Sequence, residues 1–490
     1  MGSIDATMIL ALLPEILLVF LAGFVLVFDM LWRDPAAKRS LGWLTAGGAF
    51  LILAVIWLAA RPDGEPQVLW GGMLRHDWLA FTFKSIGLMG LGVTALLSMD
   101  APGIGKKGEF YILLLTSTIG ICLMGASSDM IMLFLAIETT SIPLYVLAGF
   151  MKTDDRSTEA GFKYLLFGAM TSSVMVYGFS LLFGFTGTTD LYRLAQGLAS
   201  GELNDIGIVF SAVLVLVGFA FKISMAPFHF WAPDVYEGAP TPVAGFLSTA
   251  SKAAGFAVLM RFMLAAFPAE SGIGGLDATM SLLLIGACIA TMTIGNVIAL
   301  AQNNIKRLLA YSSIAHAGYV LLGVIAADAF GIASAVFYLI AYLLTNLAAF
   351  GVVMIVGRAV GSDEISAYAG LSRRSSGLAL VMLVAFLSLA GVPPLAGFIG
   401  KIWVFAAVVN QGMYALAFIG VLNAIIGVYY YLIVLKVVYL YRSDDDEKPV
   451  PMTRPDALAL GLLTLGIILV GTIFAPWWGV AEAAAAALFG

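Results

Sequence analysis

The fold is decided by residues 218–252, GFAFKISMAPFHFWAPDVYEGAPTPVAGFLSTASK, where ionisable side chains interrupt an apolar run. Lys222 lies inside the run, Pro227 and His229 follow it, and Lys252 lies in the next apolar segment. A proline removes a backbone donor and clashes with the carbonyl four residues earlier, so it breaks a helix. In a bilayer the freed backbone groups need polar neighbours or water. The stretch therefore predicts a broken helix that faces a cavity inside a membrane protein.

The composition indicates a membrane protein along the whole chain. Hydrophobic residues make up 61% of the 490 residues and charged residues 11%, against about 25% charged residues in a soluble domain. The net charge is −5 and no basic block occurs, which argues against nucleic-acid binding. Cys122 and Cys288 lie far apart in apolar runs and lack the spacing of a metal or haem site, so both are interpreted as buried, inert thiols.

About 20 apolar residues are needed to cross a bilayer, and the sequence contains fourteen candidate spans. The first is interpreted as a retained span, because its apolar run is too long for a signal peptide and no basic segment precedes it. The tail GVAEAAAAALFG, residues 479–490, is helix-prone and is expected at the membrane interface. The candidate spans are 8–31, 41–60, 78–98, 109–126, 129–150, 159–185, 205–226, 241–267, 276–300, 305–326, 329–358, 376–410, 413–441 and 457–476.

Lysine and arginine positions predict the orientation, since cytoplasmic loops carry an excess of both. With the N-terminus outside, 15 of the 25 lysines and arginines fall in inside loops, 3 in outside loops and 7 within spans. Both termini are therefore predicted on the periplasmic side, in agreement with an even number of spans. The acidic run RSDDDEK, residues 442–448, then lies in a cytoplasmic loop and is interpreted as a solvated segment.

Two spans are broken, and their positions predict an internal repeat. Pro227 interrupts the seventh span, while Pro393 and Pro394 interrupt the twelfth, within SLAGVPPLAGFIGKIWVF, residues 388–405. Broken helices at corresponding places in two halves indicate inverted repeats with an ion site.

The predicted fold class is thus an all-α integral membrane protein of about 14 transmembrane helices, with two inverted five-helix repeats and broken helices 7 and 12. The predicted units are an N-terminal three-helix segment, 1–100, a first repeat of spans four to eight, 109–267, a second repeat of spans nine to thirteen, 276–441, and a last span with the tail, 442–490.

One carboxylate and three amines are predicted near mid-depth. Glu138 lies near the middle of the fifth span, Lys222 in the seventh, Lys252 in the eighth, and Lys401 after the double proline of the twelfth. Burial and a neighbouring cation both disfavour the charged form of an amine, so amines in such a row can take up and release protons. The row predicts a proton relay, with structural ion pairs between helices as the alternative.

Two histidines are secondary candidates for this relay, because the unperturbed pKa of an imidazole is about 6.5. His229 follows the first break, and His316 lies in the tenth span within YSSIAHAGYV. For His316 a core histidine with satisfied hydrogen bonds is the alternative. His76 is predicted to lie in a loop, and no function is expected for it.

Several other ionisable residues have structural interpretations. Glu159 and Lys163 are four residues apart and are predicted to form an ion pair at the inner, cytoplasmic end of the sixth span. Asp234 and Glu237 lie in a proline-rich inner loop, where they are either caps and turn residues or part of a proton entrance. Three long cationic side chains are expected to extend to the membrane interface, namely Lys84, Arg261 and Lys436.

Three motifs carry a family resemblance. They are FKISMAPFHFWAPDVYEGAPTPVAGFLSTASKAAGF at 221–256, NIKRLLAYSSIAHAGYVLLG at 304–323 and LSLAGVPPLAGFIGKIWVF at 387–405. Over nearly its whole length the chain resembles the antiporter-like membrane subunits of respiratory complex I, the proton-pumping NADH:quinone oxidoreductase. It is most similar to the bacterial N-type members, because of its length, the lack of a long lateral helix after the fourteenth span, and the lysine in the second broken helix. No nucleotide-binding loop, zinc-binding helix or catalytic triad accompanies these motifs.

The resemblance implies a role for each of four residues. Glu138 would be the glutamate that pairs with Lys222, the pump lysine of the first broken helix. Lys252 would be the bridging lysine of the eighth span. Lys401 would be the distal lysine that exchanges protons with the outside.

The resemblance also implies that the chain has no flavin, iron–sulfur cluster or quinone headgroup of its own, while the complex as a whole uses NADH, FMN, iron–sulfur clusters and quinone. The implied partners are lipid and the other membrane subunits of the complex, including paralogous antiporter-like subunits. Quinone and NADH would be reached only through the complex, no nucleic acid is expected, and the implied location is the bacterial inner membrane. Two alternatives are a subunit of a multi-subunit Na⁺/H⁺ antiporter, which shares this fold, and a structural scaffold whose charges only join helices.

Overall fold

The computed structural model describes residues 5–63, 65–199, 205–267, 276–442 and 448–489, which form a bundle of helices with one two-stranded antiparallel hairpin. The hairpin consists of β1 (Gln67–Leu69) and β2 (Leu74–His76). The helices are α1 (Ala6–Ala11), α2 (Leu13–Leu31), α3 (Pro35–Lys38), α4 (Ser40–Ala59), α5 (Trp78–Ser98), α6 (Gly108–Ala126), α7 (Met130–Ala148), α8 (Asp155–Thr186), α9 (Leu191–Ala199), α10 (Asp205–Ile223), α11 (Trp231–Gly238), α12 (Thr241–Phe246), α13 (Lys252–Ala266), α14 (Leu276–Ala299), α15 (Ile305–Ile325), α16 (Ala329–Val360), α17 (Leu371–Arg374), α18 (Ser376–Ala390), α19 (Ala396–Asn410), α20 (Tyr414–Leu440), α21 (Arg454–Thr472) and α22 (Ala475–Phe489).

The number of membrane-spanning segments agrees with the sequence prediction. In the described chain, 13 helical segments are long and apolar enough to cross a membrane. One of them combines α12, a π-helical turn at Leu247–Ser251 and α13. The shorter apolar helices α18 and α19 are separated by the double proline and together form the twelfth predicted span. The prediction of an all-α membrane protein with fourteen spans is therefore confirmed.

Corresponding helices of the two predicted five-span units begin and end in the same way. The side chain of Asp129 accepts backbone N–H groups at the start of α7, and Asn304 does so at the start of α15, as preferred N-cap residues do. The next helices, α8 and α16, both have 32 residues. They end at Gly187 and Gly361, with φ of 68° and 73°, in the left-handed region that favours glycine.

Backbone hydrogen bonds then join each capped start to the chain that follows the long helix. The bonds run from Met130 N to Thr189 O at 2.8 Å, Leu191 N to Ser128 O at 3.0 Å, Ile305 N to Asp363 O at 2.8 Å and Ile365 N to Asn303 O at 2.8 Å. The first two belong to spans five and six, and the last two to spans ten and eleven. The same pair of backbone hydrogen bonds, and the broken helix that follows it, thus occur twice in the chain, five spans apart.

Two segments differ from their sequence interpretation. His76 belongs to strand β2 rather than to a loop. The predicted inner loop after Pro227 contains helix α11, which is the second half of the broken seventh helix. The tail is helical, as its composition predicts, and forms helix α22, whose buried residues include Ala481 and Ala484 and which packs against α5 and α16. The acidic residues 443–447 lie outside the described residues.

Candidate functional site

Lys222 is buried at the end of α10, immediately before the seventh helix breaks. The residue is 5% exposed, and its Nζ donates a hydrogen bond to Oγ of Ser141 in α7 at 2.9 Å. Helix α10 ends one residue later at Ile223, and Ser224 adopts a φ of 59°. The lysine stem packs on Gly255 of α13, where a Cβ would come within 3.0 Å of Lys222 Cγ. The amine therefore lies between α7 and α13, at the break.

Backbone groups freed by this break have partners on neighbouring elements. The amide of Ala226 donates to Oγ1 of Thr291 in α14 at 2.9 Å. The indole of Trp231 in α11 donates to the carbonyl of Phe221 in α10 at 3.1 Å. Because an unpaired backbone group is costly inside a bilayer, these contacts stabilise the broken helix.

Glu138 lies on the same helix as the partner of Lys222 but does not touch the amine. Its Oε1 accepts a hydrogen bond from Oγ of Ser172 in α8 at 2.6 Å. Ser141, which contacts Lys222, follows Glu138 by three residues, about one helical turn. The expected direct pair of Glu138 and Lys222 is thus replaced by two separate contacts with serine hydroxyls.

Lys252 is the first residue of α13 and follows the π-helical turn Leu247–Ser251. The residue is 2% exposed, and its Nζ donates to both the carbonyl oxygen and Oγ of Ser313 in α15, at 2.9 and 2.6 Å. Single π-helical turns inside helices frequently occur at functional sites. Here the turn places the amine between the first and second predicted repeats.

His316 follows Ser313 by one turn of α15 and is buried between two tyrosines. Its Nδ1 lies 2.8 Å from the hydroxyl of Tyr338 in α16, and its Nε2 lies 3.1 Å from the hydroxyl of Tyr431 in α20. The Tyr431 hydroxyl also forms a short hydrogen bond with Oγ of Ser312. Both ring nitrogens of His316 therefore have hydroxyl partners that can donate or accept a proton.

Lys401 extends back across the break in the twelfth helix. Its Nζ donates to the carbonyl oxygens of Leu389 and Ala390, at the end of α18, at 2.8 and 3.1 Å. The last carbonyls of a helix lack partners within the helix and favour a cation. Nζ also lies 5.0 Å from the centroid of the Tyr319 ring. Gly391 leaves room for this arrangement, because a Cβ there would come within 2.9 Å of Lys401 Cδ.

A small cavity of about 10 Å³ separates the His316 cluster from the second break. Its lining includes His316, Tyr338, Thr345, Ser388 and Leu389. Such a volume is close to the minimum that holds one water molecule. The hydroxyl and imidazole groups of the lining give such a water the polar partners it needs.

A charged cluster lies at the predicted inner side, around a cavity of about 260 Å³. Lys163 Nζ is 2.6 Å from both Glu159 and Asp234, so the i, i+4 pair exists and extends to α11. Arg307 Nη1 lies 2.8 Å from Asp234 and 2.8 Å from Glu237. Burial opposes ionisation of Asp234, but the hydrogen bonds and charges of Lys163 and Arg307 outweigh it and lower the pKa of this carboxyl.

His229 is buried beside the first break but contacts none of the predicted relay residues within the described chain. The residue is 5% exposed, and its Nδ1 has no hydrogen-bond partner among the described residues. It lines an apolar cavity of about 780 Å³ between α10 and α14. The structure therefore separates His229 from the row formed by the lysines.

The prediction that Lys84 and Arg261 extend to the interface is wrong. Lys84 is 4% exposed and pairs with Glu15 in α2 at 2.7 Å. Arg261 is 1% exposed and donates two hydrogen bonds to Asp77, at 2.7 and 2.9 Å. Each cation has a buried carboxylate partner, which removes the need for water. Lys436, by contrast, is exposed.

The sequence analysis did not identify the polar groups that contact Glu138, the lysines and His316. These groups are Ser141, Ser172, Ser313, Tyr338 and Tyr431. Serine and tyrosine inside an apolar span are a weak signal by themselves, because a hydroxyl can bond to its own helix. Among the described residues no group of three or more His, Cys, Asp or Glu side chains is arranged to hold a metal ion.

Buried amines beside two interrupted helices define a class of ion-translocating membrane proteins in which charges are placed at mid-depth. The profile of the transmembrane family described as NADH:quinone oxidoreductase/Mrp antiporter matches residues 127–427. The chain belongs to this family. The NADH-quinone oxidoreductase subunit N of Heliobacterium modesticaldum is 41% identical over 482 residues, which cover 98% of this chain and 99% of that protein.

Solved structures show the same fold. A chain of respiratory complex I from Thermus thermophilus with bound aureothin has a TM-score of 0.79 and 30% identity, and the match covers 96% of this chain and 100% of that chain. A chain of the Mrp complex from Dietzia sp. has a TM-score of 0.82 and 24% identity, and covers 97% of this chain and 52% of that chain. The second comparison concerns the fold alone.

Proposed function

We propose that this chain is an N-type, proton-translocating membrane subunit of NADH:quinone oxidoreductase, respiratory complex I. The observation that carries the proposal is the row of three fully enclosed amines, Lys222, Lys252 and Lys401, each 5% exposed or less, in a chain that belongs to this family. Oxidation of NADH and reduction of quinone would occur in other subunits. This subunit would contribute proton transfer across the membrane, as part of a translocase and without a redox centre of its own.

The proposed path begins at the cytoplasmic side and passes Glu138, Lys222, Lys252 and Lys401 before the proton leaves outside. Lys222 contacts Ser141, one turn from Glu138, which supports transfer between them through a hydroxyl or water. Lys252 contacts Ser313 in α15, and this contact supports passage from the first repeat to the second.

Between Lys252 and Lys401 the proposed path uses His316. Its two tyrosine hydroxyls, at 2.8 and 3.1 Å, and the adjacent small cavity support a role as an intermediate carrier. His229 would act only through water, because no described side chain joins it to the row. Glu159 and Lys163 would belong to the charged entrance near Asp234.

The unit boundaries, 1–100, 109–267, 276–441 and 442–490, are proposed on the same basis. The matching caps and backbone junctions of spans five and six and of spans ten and eleven support the two inverted repeats. The subunit would be a multi-pass protein of the bacterial inner membrane with both termini in the periplasm. Its partners would be lipid and other membrane subunits, including paralogous antiporter-like ones. Quinone, NADH, FMN and iron–sulfur clusters would belong to the complex.

The relay is tested by Lys222→Ala in the assembled complex. We expect NADH-driven proton pumping and NADH oxidation to fall together, while the complex assembles normally. The matched control is Lys436→Ala, which removes an exposed lysine from α20. Normal pumping and oxidation in an assembled Lys222→Ala complex would contradict the relay. Loss of assembly without a specific loss of pumping would favour the scaffold alternative.

The Na⁺/H⁺ antiporter alternative is kept for one reason, which is that the description of the matching family names both NADH:quinone oxidoreductase and Mrp antiporter. Affinity purification from mild detergent distinguishes the two functions. Hydrophilic NADH-oxidising subunits should co-purify with a complex I subunit. Recovery of small membrane partners only, together with Na⁺-dependent transport, would support the antiporter.

A further inference from the structure

An apolar groove lies away from the row of lysines, between the N-terminal spans and the last span. We name it the outer groove; its volume is about 620 Å³, and α4, α5, α16, α21 and α22 form its walls. This volume falls within the range of about 300–1,000 Å³ that is typical of small-molecule sites. Leu465 is 57% exposed and Trp477 is 39% exposed, so the groove opens to the side of the bundle. The groove is therefore accessible from outside the bundle.

Polar groups are concentrated at one end of the outer groove. Trp57 lines the groove and donates its indole N–H to Oγ of Ser85 at 3.1 Å. The guanidinium of Arg61 lies 4.8 Å from the centroid of the Trp57 ring. Arg61 is exposed and takes part in none of the ion pairs found among the described residues. This end thus presents a cation beside an aromatic ring, an arrangement suited to the membrane interface.

A second observation points to a ligand inside the groove. Thr82 lines the groove and is 2% exposed, yet its hydroxyl has no hydrogen-bond partner within the described chain. A buried hydroxyl without a partner is costly, and most threonines within spans avoid this cost by bonding to the carbonyl four residues earlier. The unpaired hydroxyl of Thr82 is therefore available to a molecule in the groove.

The polarity of the groove changes in one direction along α4. Arg61 follows the end of the helix, Trp57 lies one turn inside, and Ala54 and Phe50 line the groove at successively greater depth. On the facing helix α5, Thr82 lies about one turn from the start of the helix. A cation, a hydroxyl and then an apolar channel follow one another from the predicted outer surface toward the bilayer centre.

We infer that the outer groove binds one glycerophospholipid of the outer leaflet. The phosphate contacts Arg61, an ester carbonyl accepts a hydrogen bond from the Thr82 hydroxyl, and one acyl chain fills the channel beside Leu344 and Leu465. A neutral isoprenoid quinone matches the apolar walls but leaves Arg61 without a counter-charge, so charge complementarity selects the phospholipid. This inference requires only the folded bundle in a bilayer and does not depend on the proposed proton transfer.

The experiment uses the purified complex in nanodiscs made of phosphatidylglycerol and phosphatidylethanolamine. A phosphatidylglycerol with a photoreactive diazirine in its acyl chain is added, and the labelled peptides are identified by mass spectrometry. We expect the label on residues 50–57 of α4 and 462–470 of α21. Unlabelled phosphatidylglycerol should compete for these positions, whereas ubiquinone should not. Competition by ubiquinone but not by phosphatidylglycerol would overturn the inference.

Variants distinguish lipid binding in the outer groove from non-specific contact of lipid with the bundle. Ala54→Phe fills the channel, and labelling of 462–470 should fall about tenfold, equivalent to ~1.4 kcal/mol. Leu51→Phe is the matched control, because Leu51 is 65% exposed on the same helix and does not line the groove. Arg61→Gln and Thr82→Val should each weaken phosphatidylglycerol competition while assembly of the complex is kept. Equal labelling of all lipid-facing helices, unchanged in the three groove variants, would also overturn the inference.

Discussion

Lys252 and Ser313 are joined twice, since the lysine Nζ donates to both the carbonyl oxygen and the hydroxyl of the serine, at 2.9 and 2.6 Å. One turn further along α15, His316 lies between the hydroxyls of Tyr338 and Tyr431. An amine from the eighth span therefore contacts a serine that lies one helical turn from the polar cluster of the following repeat. This serine is the contact on which the proposed transfer between repeats depends.

Ser313→Ala should slow proton transfer without preventing assembly. The substitution removes the hydroxyl acceptor of Lys252 but keeps the carbonyl acceptor. A hydrogen bond to a charged group contributes about 1.5–3 kcal/mol, so a rate limited by this step should fall roughly tenfold or more. NADH-driven acidification by reconstituted complexes measures the effect. Ser173→Ala is the control, because Ser173 bonds only to the carbonyl of Ala169 in its own helix; equal rates in both variants would contradict the prediction.

Gly391→Ala should reduce activity more than Gly412→Ala. Both glycines have positive φ, 86° and 73°, so both substitutions introduce backbone strain of about 1–3 kcal/mol. Only at Gly391 does the new Cβ meet Lys401, whereas nothing lies within 4 Å of the Cβ at Gly412. We expect similar losses of thermal stability and a loss of proton pumping in Gly391→Ala alone. Equal pumping by the two variants would show that the position of Lys401 is not important.

Asp77→Asn should strongly destabilise the subunit. Asp77 accepts two of the hydrogen bonds that Arg261 donates and is its carboxylate partner, and Arg261 is 1% exposed. An uncompensated buried charge costs about 3–5 kcal/mol. Thermal unfolding and the yield of assembled complex measure this loss. The control is Asp190→Asn, because Asp190 pairs with Arg193, whose side chain is 76% exposed, and such a surface pair contributes about 0–1 kcal/mol. A yield for Asp77→Asn as high as for the control would contradict the prediction.

The stabilising effect of Asp234 should be constant near neutral pH. Burial disfavours its charged form, but Lys163 and Arg307 lower its pKa below the ordinary value of 3.8. Since the folded pKa is depressed, its contribution is fully present above the unfolded pKa and is lost as the pH falls through the folded pKa. The difference in melting temperature between wild type and Asp234→Asn should therefore stay constant from about pH 5 to about pH 8 and shrink only below about pH 4. Asp155→Asn, an exposed aspartate on α8, is the control, and a difference that varies across neutral pH would contradict the assignment.

The sequence predicted the spans and both breaks because their signals are local. Apolar runs of membrane length and the prolines at 227, 393 and 394 are visible without knowledge of tertiary contacts. The same holds for Glu159 and Lys163, whose i, i+4 spacing brings them together on one helix. The four ionisable residues of the predicted row were identified because they lie within apolar runs. Their roles stay predictions.

The partners of the buried charges were beyond local reasoning. Lys252 and Ser313 are separated by 61 residues, Lys222 and Ser141 by 81, and Arg261 and Asp77 by 184. No spacing rule connects such positions, so Arg261 was assigned to the interface although its carboxylate partner was already in the sequence. The second half of the seventh helix, α11, was predicted as a loop for a local reason. It is only 8 residues long and contains two acidic residues, Asp234 and Glu237, in a proline-rich stretch that is typical of a loop.

Lys401 bonds to carbonyls that precede it by 11 and 12 residues, on the other side of its own helix break. In an unbroken helix these carbonyls would lie about 16–18 Å away along the axis and would be occupied by the helix itself. The number of hydrogen bonds to the ammonium therefore depends on the bend angle between α18 and α19. The bend of the second broken helix thus holds its own lysine in place, and any straightening of that helix would separate the ammonium from both carbonyl oxygens.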